Sequence, residues 1–185
     1  GRRYWGVHAP SDVADAVGTG PAAFDFDAIF QADFDRIARV IARVIQDPAR
    51  AEELAVDAFW RLWRHPRAHG DSAGCWLYRT AVRLALDELR RRARRSRYER
   101  MFTLFRRSPQ PPDDLFSAAE EQGRVRAVLA AMAPRQAELL LLRSDGLSYD
   151  ELAAALSITP TSIGTLLSRA RTAFQKEYVK RHGAQ

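Results

Sequence analysis

Two stretches of this chain place side chains suited to holding a nucleic acid. The first lies near the C-terminus, where Thr159, Thr161, Ser162, Thr165 and Ser168 are followed by Arg169 and Arg171. Slim hydroxyl groups can enter a major groove and reach base edges, while arginine forks meet phosphate or guanine. The second runs from Trp76 to Arg107, with eleven arginines against Asp87, Glu88 and Glu99, a net of +8. On a helix Arg79, Arg83, Asp87, Arg90 and Arg94 share one stripe, with Asp87 pairing Arg83 or Arg90. A solvated face would mix its signs more evenly, so this excess points to phosphate contact. Just ahead of the stripe, Arg64, His65, Arg67, His69 and Ser72 fall in a polar loop that leads into Trp76. Cations and an aromatic ring beside a loop suit unstacked single-stranded bases, although Trp76 equally suits a core anchor. His65 and His69 stand at i, i+4, but no cysteine or carboxylate nearby completes a metal site, and no cofactor is expected.

The elements that must position these groups are helical. Leu152 and Leu156 mark a short helix, and Ile163, Leu167, Ala170 and Phe174 mark the next, with Thr159 as N-cap and Pro160 at its first position. Together they predict a helix-turn-helix. Further upstream, Phe30, Phe34, Ile37, Ile41 and Val44 give one apolar stripe from about Asp25. Asp47-Pro48 breaks the chain and starts a helix over 50–64; a third helix is expected over 76–97. Pro-Pro at 111–112 marks a tether. Helices over 117–132, 134–144, 148–156 and 160–180 follow, and nothing alternates as a strand would. The expected fold is all-α: two small helical domains on a proline-rich linker, the C-terminal one carrying the helix-turn-helix. The expected boundaries are an arm over 1–24, an N-terminal domain over 25–100, a linker over 101–116 and a C-terminal domain over 117–182.

Composition limits the classes available. The 185 residues are 46% hydrophobic, enough for packed cores, and the formal net charge of +6 suits a polyanionic partner. Only Lys176 and Lys180 among the 29 cations are lysines. Residues 119–185 carry nine cations and seven acids, so this half must bind DNA by placement rather than by bulk charge. Cys75 is alone, which rules out an internal disulfide framework and fits a reducing compartment. No apolar run is long enough for a membrane span and no signal-peptide pattern opens the chain, so a cytoplasmic protein is expected. Gly1 stands where an initiator methionine would, and a trimmed start is expected there. No nucleophile with a paired base and no glycine-rich phosphate loop argues for an enzyme.

The block from Trp76 to Arg92 closely resembles the promoter-melting helix of extracytoplasmic-function sigma factors, the small bacterial subunits that direct RNA polymerase to promoters. Asp47 to Trp63 resembles the polymerase-docking helix of that family. Leu129 to Gln136 and the helix-turn-helix resemble its domain for the upstream promoter element. The resemblance covers about residues 26–100 and 117–178, in the family's order. It implies a non-enzymatic subunit that binds core RNA polymerase through Glu53, Leu54, Val56, Asp57, Trp60 and Arg61. Duplex at the −35 element would meet Thr159, Thr161, Ser162, Thr165, Ser168, Arg169 and Arg171. The −10 element would be melted by Arg64, His65, Arg67, His69, Ser72, Trp76, Arg79, Arg83 and Arg90. An anti-sigma protein is a further partner the resemblance allows.

The chain departs from the family pattern in three places. Val82-Arg83 stands where Arg-Asn is usual, Gly164 and Leu166 stand where a lysine and an arginine are common, and Ser157 replaces the glycine of the turn. The rival reading is a stand-alone helix-turn-helix regulator that binds a palindrome as a dimer without polymerase. No heptad seam or ligand-pocket signature supports it.

Overall fold

A computed structural model describes residues 24–103 and 117–183, and among these every regular element is helical. Three long helices come first: α1 (Phe26–Ile45), α2 (Pro48–Trp63) and α3 (Ala73–Thr103), with a short 3-10 turn at Pro66–Ala68 between the last two. Four more follow: α4 (Ser117–Ala131), α5 (Pro134–Ser144), α6 (Tyr149–Leu156) and α7 (Pro160–His182). Residues 1–23 of the expected arm and 104–116 of the expected linker lie outside the described residues.

Local chemistry sets the helix ends. Asp25 and Asp47 cap α1 and α2, each carboxylate accepting a backbone N–H three residues on, at 3.0 and 3.1 Å. Gln46 ends α1 in the left-handed region with φ 52°. Ser148 and Glu151 form a reciprocal capping box at the start of α6, the Ser148 N–H donating to Glu151 at 2.7 Å and the Glu151 N–H to Ser148 at 3.2 Å. Ser157 ends α6 with φ 56°, so serine takes the strained position that glycine would fill more cheaply. Thr159 stands at the N-cap of α7 as expected, but its hydroxyl bonds the Ser162 hydroxyl at 2.8 Å rather than a backbone N–H.

The first bundle packs α1, α2 and α3 against one another. Phe30 and Phe34 lie 4.9 and 6.0 Å from the buried ring of Phe59, and Ile37, Ile41 and Val44 continue the predicted stripe inward. The second bundle sets α4, α5 and α6 against α7, whose Ile163, Leu167 and Ala170 are buried as their spacing requires. Helix α3 is longer than expected at both ends. It starts at Ala73, so Cys75 is helical rather than in the loop, and it reaches Thr103, beyond the expected linker start. The Arg95–Glu99 pair at 2.8 Å supports the added turns from within the helix.

The two bundles are packed together through α3, which touches α4, α5 and α6. Val128, Leu129 and Met132 join the same apolar cluster as Leu84 and Leu89. Polar contacts rim this junction. Arg43 pairs with Asp145 at 2.7 Å, and Gln46 bonds Gln122. The guanidinium of Arg36 sits 5.3 Å from the ring centre of the buried Tyr78. Burial, and after it a hydrogen bond to Asp145, push the Tyr78 phenol well above its usual range.

Candidate docking and nucleic-acid surfaces

On α2, periodicity separates two faces. Ala51, Leu54, Ala55, Ala58, Phe59 and Leu62 form the buried face. Glu53, Val56, Trp60 and Trp63 lie along the opposite side, and the three apolar members are 53%, 57% and 54% exposed. Three large apolar groups thus share one exposed stripe on a single helix, a candidate docking surface. Leu54 is a correction: it is buried in the core and cannot face a partner. Asp57 and Arg61 beside the stripe neutralise one another at 3.0 Å, and Glu53 is paired with Arg50, while Glu52 is exposed beside it. Trp63, absent from the expected docking set, is exposed on the same stripe.

The loop after α2 divides into free and committed side chains. Arg64, Arg67 and Ser72 are exposed. His65 is exposed too, and its ring stacks at 5.4 Å on Trp76, which is half-buried against the core. Trp76 therefore keeps an edge toward solvent while anchoring α3. His69 is a second correction. Its Nε2 lies 2.9 Å from the carbonyl of Leu62, and its ring stacks on Phe24 at 3.7 Å. These contacts hold the loop to α2 and make His69 structural. Phe24, the last residue of the expected arm, thereby belongs to the folded unit.

The arginine stripe on α3 forms as the spacing requires, but two members are already occupied. The buried carboxylate of Glu138 on α5 accepts from Arg79 Nε at 2.7 Å and from Arg83 Nε at 3.0 Å. Sequence spacing carries no signal for this clamp, because Glu138 lies more than fifty positions away. Arg90 pairs with Asp87 at 3.3 Å, one of the two pairings expected for that aspartate. Val82, where the family usually has arginine, is fully buried and takes no part in the surface.

A second buried carboxylate braces the first bundle. Glu88 accepts from Arg92 at 2.9 Å and from Arg91 at 2.9 Å, with Arg50 at 3.5 Å. Burial works against its charge, yet the hydrogen bonds from Arg91 and Arg92 and the charges of Arg91 and Arg50 outweigh it and hold the carboxyl down at about 2. Arg92 also donates to the carbonyl of Ile45 at 3.1 Å and to Asp47 at 2.7 Å, tying the α1–α2 corner to α3.

On α7, Thr161, Thr165 and Ser168 form the centre of the exposed face, and Arg169 and Arg171 are exposed on either flank. Ser162 is half-buried and turned back to Thr159. Gly164 lies on the exposed side, where an added Cβ would approach only Tyr149, at an ordinary 3.9 Å. The face is therefore slim, hydroxylic and edged by arginine, a shape suited to a major groove. Among the described residues no helix is long and apolar enough to cross a membrane.

Comparison with known proteins identifies the family. Residues 29–95 match the family model described as Sigma-70 region 2, and residues 122–174 match that described as Sigma-70, region 4; together these span well over half of the chain. The ECF RNA polymerase sigma factor SigE of Mycolicibacterium smegmatis is 29% identical over 181 residues, covering 94% of this chain and 68% of that protein. SigK of Mycolicibacterium vanbaalenii is 29% identical over 154 residues, covering 79% and 76%. A co-crystal structure of the sigma factor RpoE with the anti-sigma factor NepR from Bartonella quintana aligns with a TM-score of 0.48 at 19% identity, over 84% of this chain and 97% of that one. With both sigma regions matched in order, the chain belongs to the extracytoplasmic-function sigma factors, promoter-recognising subunits of bacterial RNA polymerase.

Proposed function

We propose that the chain divides its work among three surfaces and carries out no reaction of its own. The exposed stripe of α2, from Glu53 through Val56 and Trp60 to Trp63, docks on core polymerase. The outward face of α7 lies in the major groove of the −35 element: Thr161, Thr165 and Ser168 toward the bases, Arg169 and Arg171 toward phosphate or guanine. The loop of Arg64, His65, Arg67 and Ser72, with Trp76 and the α3 arginines, holds one strand of the opened −10 element. Unpairing costs a few kcal/mol, roughly what stacking and arginine contacts to one strand can offset. The division into an N-terminal and a C-terminal domain follows the same assignment.

The observation that carries this reading is the α2 stripe, because a stand-alone DNA-binding regulator has no use for two exposed tryptophans beside its DNA-binding parts. Trp60→Ala is expected to weaken binding to core polymerase by more than tenfold, the effect of losing an interface hot spot of about 2 kcal/mol. Helicity and duplex binding by the free chain should be unchanged. Wild-type affinity for core polymerase in Trp60→Ala and in the Val56→Ala, Trp63→Ala double variant would remove the assignment.

A further inference from the structure

A cleft of about 1310 Å³ opens between the second half of α3 and helices α4 and α7. Arg90, Arg94, Arg97 and Arg100 line it from α3, Arg126 from α4 and Arg181 from α7, over a floor built largely of alanines. No carboxylate and no aromatic ring lines it. Elsewhere in the molecule clustered arginines converge on a buried acid: Glu88 serves Arg50, Arg91 and Arg92, and Glu138 serves Arg79 and Arg83. Here no acid lines the cleft itself, although Arg90 keeps its 3.3 Å contact with the exposed Asp87 and Arg92, also in the lining, keeps its bonds to Glu88 and Asp47. Two guanidiniums register that deficit. Nη2 of Arg90 is shielded from solvent and has no hydrogen-bond partner. Burial, and after it the charge of Arg92, disfavour the charged form of Arg126.

We propose that this cleft is a binding site for a compact oligophosphate anion, held between the two bundles by arginines of α3, α4 and α7. The chemistry selects this class. Guanidinium forks match phosphate oxygens bidentately, and several of them converging on one small volume require a ligand of high charge density. The alanine floor gives room for such a chain of phosphates. Without an aromatic platform the cleft gives a nucleobase nothing to stack on, which separates it from a track for single-stranded DNA. Arg94, Arg97 and Arg100 are exposed and able to close over the ligand, while Arg181 meets Glu177 through its Nε at 2.6 Å. Its Arg90 and Arg94 also belong to the α3 stripe proposed for the −10 strand, whereas Arg126 and Arg181 belong to none of the promoter surfaces.

Inorganic tripolyphosphate is the probe, titrated calorimetrically into the full chain at low salt. Saturable one-to-one binding is expected, weakened about tenfold or more by Arg97→Ala and by Arg126→Ala, each of which removes charge-assisted hydrogen bonds. Arg135→Ala, exposed on α5 and outside the cleft lining, should bind as the wild type does. Arg97 is fully on the surface, so its variant decides the question even if Arg126→Ala fails to fold. A single-stranded oligonucleotide of equal charge should compete poorly. Absence of saturable binding, equal affinity in Arg97→Ala, or equal competition by the oligonucleotide would each overturn the proposal; the last would make the cleft part of a nucleic-acid path.

Discussion

Replacing Glu138 with glutamine should make the free chain bind single-stranded DNA more tightly. The side chain is buried and accepts from Arg79 at 2.7 Å and Arg83 at 3.0 Å, so both guanidiniums are engaged within the molecule. A hydrogen bond to a charged group contributes about 1.5–3 kcal/mol. Half the Arg83 side chain is exposed, and solvent screening reduces its share to about 1 kcal/mol or less. The clamp thus favours the engaged state by about 2–4 kcal/mol. Glutamine keeps the shape and one acceptor oxygen while losing the charge, so a loss of about 2 kcal/mol is expected, a shift of roughly thirtyfold in the engaged-to-free ratio. Where only the free state binds, apparent affinity rises with its population, up to that factor. Fluorescence anisotropy of a labelled single strand, read across a salt series, measures it. Glu52→Gln, an exposed site on α2, controls for the simple loss of one negative charge. If Glu138→Gln binds no more tightly than Glu52→Gln, the clamp does not compete with DNA and the argument fails.

Other consequences follow from single contacts. The Glu88 carboxyl sits at about 2 in the folded chain against 4.5 ordinarily. A depressed folded value stabilises fully above about pH 4.5 and is lost as pH falls toward 2, a contribution on the order of 3 kcal/mol. Thermal midpoints should fall through that window in the wild type, and Glu88→Gln, destabilised at neutral pH, should show a flatter acid limb; an equally steep limb would contradict the network. Arg171→Ala should weaken duplex binding by the holoenzyme at every sequence and reduce the salt slope by about one unit. An unchanged affinity and slope would mean that α7 is oriented differently on DNA. Gly164→Ala should raise stability by about 0.5–1 kcal/mol, since the position is helical, exposed and open to a Cβ. A lower thermal midpoint would show that the space is needed.

Much of this was legible in residue spacing. The apolar stripe of α1, the Asp47-Pro48 restart and the buried face of α7 are local patterns, and each element forms where its pattern lies. The exposed hydroxyls of α7 follow from the same periodicity. The α2 face could have been read more sharply: Ala51, Leu54, Ala58 and Leu62 recur at helical spacing, which places Leu54 inside and Trp60 outside. The rest depends on long-range contacts. Glu138 stands in an apolar helix with no local sign that it collects Arg79 and Arg83. His69 resembles a free loop cation until Leu62 and Phe24 are placed around it. The acid-free cleft exists only because α4 and α7 come to lie beside α3.

The central claim, that this chain directs polymerase to promoters through two separated elements, is tested most directly by transcription in vitro. The purified chain is combined with core polymerase of its own bacterium on fragmented genomic DNA, and transcript starts are sequenced. New starts are expected, absent with core polymerase alone, that share one upstream and one downstream element at fixed spacing. These starts should disappear with Trp60→Ala. No new starts above core polymerase alone, or starts sharing no such pair of elements, would contradict it.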